Sequence, residues 1–93
     1  MGKIKFSNGD QWNYKYGDHE IAVKVVVGVL AYVELIVDGK IQDAKNGVVF
    51  SADLQGKLPD GKPIKASIGG AFAPKCSVFV DYEQLELINK VDI

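Results

Sequence analysis

Arginine is missing altogether, and the eleven basic residues are all lysine. That removes the planar fork that reads guanine, phosphate and carboxylate in two-point contacts. With a net charge of -1 and lysines interspersed among carboxylates, there is no basic field to neutralise a phosphate backbone, so no nucleic-acid partner is expected. Cysteine is nearly missing too. Cys76 stands alone and cannot form an internal disulfide, and no Asn-x-Ser/Thr sequon occurs. Both facts suit a reducing compartment. His19 is the single histidine, and one His with one Cys is too few for a zinc site. No D-x-D-x-D-G calcium loop is present, so neither metal nor cofactor is expected. Long apolar runs are also missing. VVVGVLAYV, Val25 to Val33, is too short for a bilayer and is interrupted by Gly28, and MGKIKFSNGDQ has no apolar signal core. These features predict a soluble cytoplasmic protein with an intact start and no membrane partner.

What is present is ordinary globular material. At 47% hydrophobic and 25% charged, the chain is too apolar to stay disordered, and 93 residues provide one core, hence a single domain over 1–93. Turn signals punctuate it at short intervals: Asn8-Gly9, Gly17-Asp18, Asp38-Gly39, Asn46-Gly47 and Asp60-Gly61. Such spacing belongs to strands, and Asn-Gly or Asp-Gly pairs tolerate the positive φ of type I′ turns. Between them side chains alternate. Ile21, Val23, Val25 and Val27 share one face, Val33, Leu35 and Val37 repeat the pattern, and Ile64, Ala66, Ile68, Cys76, Val78 and Val80 follow. The predicted fold is all-β: a small antiparallel β-sandwich or partly open barrel of about seven to eight strands. The predicted core is Ile21, Val23, Val25, Leu35, Val37, Phe50, Ile64, Ile68, Val78, Val80 and Leu85. DYEQLELINK reads either as a last strand or as one or two helical turns.

A near-repeat bears on the topology. VELIVDGKIQD and CSVFVDYEQLEL align with Asp81 lying 43 positions after Asp38, which also sets Ile21 on Ile64, Val23 on Ala66 and Val25 on Ile68. Two readings follow: two similar meander halves packed face to face, or a coincidence among repetitive strand patterns.

Chemical motifs are few. GKLPDGKP, residues 56 to 63, begins like a phosphate-binding loop, but Pro63 stands where the magnesium-holding Ser/Thr belongs and PIKASI reads as a strand, so a hairpin with a Pro-Asp-Gly turn is expected. Cys76 and His19 supply the one thinkable nucleophile and base, although Cys76 sits in an alternating apolar strand and His19 at a strand end. Asp53, Asp81, Glu83 and Glu86 read as solvated or turn carboxylates. In QWNYKY, Trp12, Tyr14 and Tyr16 fall on one side of a strand. Such a stripe is either the lid of a core or, if exposed, a binding surface, and these three are the candidate binding residues.

The succession W-x-Y-x-Y, HEIAVKV, LIVDGKIQD, GVVFSADLQGK and CSVFVDYEQLEL resembles small bacterial proteins with an I-V-D-G hairpin and a C-x-V-F-V-D strand. More distantly it resembles the Fas apoptotic inhibitory molecule family, which implies an all-β, non-enzymatic fold. Asp81-Tyr82 departs from that pattern, which has Asp-Gly there, and no functional residue transfers. The expected function is a non-catalytic binding or protein-interaction module for a protein or small ligand. The alternative is a small enzyme or ligand carrier using Cys76 and His19. The chain is expected as a monomer or homodimer. Uncharged VVVGVLAYV would supply a dimer strip, unless Gly28 divides it into a buried strand and a covered loop.

Overall fold

The computed structural model describes residues 9–27, 30–48, 51–69 and 75–93. The strands are β1 (Gly9–Tyr16), β2 (His19–Val27), β3 (Ala31–Val37), β4 (Lys40–Val48), β5 (Ser51–Lys57), β6 (Pro63–Gly69), β7 (Lys75–Val80), β8 (Glu83–Gln84) and β9 (Asn89–Asp92). They form two antiparallel sheets, ordered β4-β3-β2-β1-β9 and β5-β6-β7-β8, which pack as a β-sandwich. Nine strands among the described residues exceed the expected seven to eight because DYEQLELINK makes neither one strand nor a helix. It begins in the second sheet as β8, crosses the gap extended, and joins the first sheet as β9.

The two halves are matching meanders. Ile21, Val23 and Val25 pair with Val37, Leu35 and Val33. In the second half Ile64, Ala66 and Ile68 pair with Val80, Val78 and Cys76, the same register 43 positions on. Both meanders turn alike. Asp38-Gly39 has φ of 51° and 81°, and Asp81-Tyr82 has φ of 50° and 67°, the paired left-handed conformations of a type I′ turn.

Period-two alternation then builds the core. Trp12, Tyr14, Ile21, Val23, Val25, Val33, Leu35 and Val37 from the first sheet meet Ala52, Leu54, Ile64, Ala66, Ile68, Val78 and Val80 from the second, with Leu58 closing one end. Each fully buried Leu or Ile contributes about 1.5–3 kcal/mol relative to exposure. Of the expected core, Leu85 is only half-buried because the chain leaves the second sheet at that point, and Phe50 lies outside the described residues. So do KIKFS, Gly28, Val29 and most of the GGAFAPK loop. Val25 and Val33 are buried in β2 and β3, which are interior strands of their sheet, while Val27 and Leu30 are exposed where that hairpin ends.

Two local irregularities shape β4. Asn46-Gly47, expected as a turn, lies within the strand. Ala31 pairs with Val48 but Val33 with Lys45, so the dipeptide bulges opposite Tyr32, with Gly47 supplying a φ of 72°. The second bulge is at Gln42, skipped between the pairs Leu35 with Asp43 and Ile36 with Ile41. Its side chain crosses to the second sheet, donating to the Lys57 carbonyl at 2.8 Å and accepting from the Lys57 amide at 2.7 Å. Asp43 accepts from the Gln55 amide at 2.9 Å. Side chains of β4 thereby occupy the open edge of β5. On the far side the chain itself bridges the sheets: the Leu85 amide donates to Val78 and the Ile88 amide to Asn13.

Candidate functional site

Trp12 and Tyr14 are buried at 3% exposure each, and Tyr16 is half-buried. The stripe takes the core-lid position. The Tyr14 hydroxyl donates across the sandwich to the Cys76 carbonyl at 3.2 Å, and burial raises its pKa well above the ordinary tyrosine value. Tyr16 carries the Lys62 ammonium 5.9 Å from its ring centre, and Trp12 carries Lys90 at 5.7 Å.

Cys76 and His19 are not brought together. Burial pushes the Cys76 thiol up to about 11, the nearby Tyr14 hydroxyl pulling less strongly the other way. His19 Nδ1 lies 2.8 Å from Asp38 Oδ2, and Asp38 Oδ1 accepts the Glu20 amide at 2.9 Å. The His19 hydrogen bond, then the Glu20 amide, hold the Asp38 carboxyl below its usual value. This is the linkage of an anchored turn. Among the described residues no hydrogen bond or ion pair joins His19 to Cys76, and no group of three His, Cys, Asp or Glu converges as a metal site would require. Asp53 accepts the Ser67 hydroxyl at 2.8 Å on the outer face of the second sheet. The buried carboxylate is Glu34, on the outer face of the first sheet, which accepts the Tyr32 hydroxyl at 2.8 Å.

The exposed aromatic surface lies elsewhere. Tyr82, second residue of the β7–β8 turn, is 88% exposed with φ at 67°. A bulky side chain in the left-handed region is an outlier costing about 1–2 kcal/mol, and such strain collects at functional positions. Phe79 and Lys65 pair across β7 and β6 with their side chains on the outer face, and Pro63 opens β6 beside them. Pro63, Lys65, Phe79 and Tyr82 line a mainly apolar depression of about 320 Å³. It continues into a second of about 560 Å³ that adds Gln42, Gln55, Gly56 and Lys57. The two depressions hold two lysines and no carboxylate, on a chain whose acidic residues outnumber its basic ones. Pro63 fits here because its missing N–H falls at the first residue of β6, while its carbonyl still accepts the Asp81 amide at 2.9 Å. In the sequence Asp81 reads as a turn carboxylate and Tyr82 as a departure from Asp-Gly, not as a contact residue. The available signal was an aromatic residue where the repeat calls for glycine.

No protein-family model, no curated protein and no solved structure matches this chain.

Proposed function

We propose that this chain is a non-catalytic binding module whose contact surface is the outer face of the second sheet around Tyr82. The observation that carries this reading is the Tyr82 ring, held in solvent at a left-handed backbone position beside Phe79 and Pro63. Rigid aromatic rings give large contact area at little entropic cost. The ligand proposed is an extended peptide rich in proline and acidic residues. Proline rings of a polyproline II segment pack on Tyr82, Phe79 and Pro63, and carboxylates meet Lys65 and Lys57. The raised thiol of Cys76 and the engagement of His19 with Asp38 favour a non-catalytic role over the alternative built on that pair. The resemblance to a non-enzymatic all-β family points the same way.

The test is an NMR titration with the peptide (Pro-Glu)5, set against (Gly-Glu)5 and (Pro-Lys)5. Shifts confined to Pro63-side residues Lys65, Phe79 and Tyr82 with the first peptide, and about tenfold weaker binding by Tyr82→Ala, are expected. Equal binding of (Gly-Glu)5 would reduce the site to a charge effect. No response to any of the three would remove the peptide reading.

A further inference from the structure

We propose that β9 pairs antiparallel with β9 of a second copy of this chain, extending the first sheet across a twofold axis. Two sheets have four edges, and three are accounted for. The Gln42 and Asp43 side chains of β4 occupy the β5 edge at Lys57 and Gln55, β4 itself is broken by two bulges, and β8 is two residues long. Among the described residues β9 is left, four exposed residues on the outside of β1 with no further strand beside them. An uncovered edge strand is a template for another strand.

The register follows from the backbone. The Ile93 amide donates to the Gly9 carbonyl, so alternate residues Val91 and Ile93 face β1, while the N–H and C=O groups of Lys90 and Asp92 face outward. Outward-facing residues form the hydrogen-bonded pairs of a new antiparallel ladder. Centring the twofold axis on Val91 sets Lys90 opposite the partner's Asp92 and Asp92 opposite the partner's Lys90. Both pairs join opposite charges, a favourable cross-strand combination. Val91, 39% exposed, meets the partner's Val91 in the closely spaced pair between them.

Charge within one chain favours the same arrangement. Asp10 and Asp92 stand directly opposite each other across β1 and β9, with Lys90 3.6 Å from Asp10 as the one ion pair there among the described residues. The partner's Lys90 brings a further ammonium to this pair of carboxylates. Lysine on an edge ordinarily repels a neighbouring strand, but in this register each Lys90 lies opposite a carboxylate of the partner and not opposite another lysine.

Sedimentation equilibrium at hundreds of micromolar, the range suited to an interface this small, is expected to give twice the 10.1 kDa chain mass. Lys90→Asp and Asp92→Lys each place like charges opposite one another and should weaken dimerisation at least about tenfold. An equimolar mixture of the two variants restores both opposite-charge pairs, so it should form a heterodimer. Asp92→Lys leaves the Trp12 contact of Lys90 intact, and the circular dichroism of each variant verifies folding. A mass of 10.1 kDa at every concentration overturns the proposal. So does a dimer indifferent to both variants, or one not rescued by mixing.

Discussion

The Gln42 side chain holds the Lys57 backbone as an adjacent strand would, accepting from its N–H at 2.7 Å and donating to its C=O at 2.8 Å. A bulge in one sheet has turned an amide side chain into a surrogate peptide group for the edge of the other.

Removing that surrogate should be felt in stability. Gln42→Ala is expected to cost about 0.5–1.5 kcal/mol per hydrogen bond lost and to speed exchange of the Lys57 amide, read by urea unfolding and hydrogen exchange. Gly56→Ala is expected to cost about 1–3 kcal/mol, since its methyl group would strike Gln42 Oε1 and press on Leu35. A Gln42→Ala midpoint equal to wild type would show that the seam adds nothing.

Tyr82→Gly should stabilise the domain while weakening ligand binding. The left-handed penalty of about 1–2 kcal/mol disappears, and the greater freedom of glycine in the unfolded chain returns about 0.5–1 kcal/mol of it. A net gain of about 0.5–1 kcal/mol in chemical denaturation is expected. Loss of stability would mean that the ring makes a native contact worth more than the strain.

Cys76 should alkylate slowly. With its thiol pushed up to about 11, iodoacetamide reactivity at neutral pH should lie well below that of a free cysteine and climb steadily with pH. The folded state holds the proton more tightly than the unfolded chain, whose ordinary value is 9.0, so stability falls as pH rises from about 9 toward about 11. Faster alkylation than a model thiol would revive a catalytic role.

At the acid end the sign reverses. Asp38 has its folded value lowered below 3.8, chiefly by His19 and then by the Glu20 amide, so its contribution is present above that value and lost as pH falls through the folded one. Asp38→Asn keeps a residue suited to left-handed φ but should flatten this part of the acid-unfolding profile. A profile unchanged by the substitution would place the acid sensitivity in other carboxylates.

Strand alternation was legible wherever burial was one-sided: Ile21, Val23 and Val25 announce their face without help from the rest of the chain. The Asp38-Gly39 turn was legible for the same local reason. Asn46-Gly47 was not, because a dipeptide suited to a type I′ turn is equally suited to a bulge, and only pairing with Ala31 and Val33 decides between them. Nor was the site. Phe79 and Tyr82 join Pro63 and Lys65 only after β6 and β7 pair, whereas the W-x-Y-x-Y stripe advertised itself in sequence and went to the core.

The crossing from β8 to β9 also sets an order in time. β1 precedes β2, yet its other neighbour is residues 89–92, so the first sheet keeps an open edge while β2 to β8 are made. Its four-stranded meander can form locally, but the clasp over Trp12 comes after all of it and spans the largest sequence separation among the described strand pairs. A nascent chain halted before β9 would therefore carry a bare β1, exposed to other strands at the stage when it has fewest partners of its own.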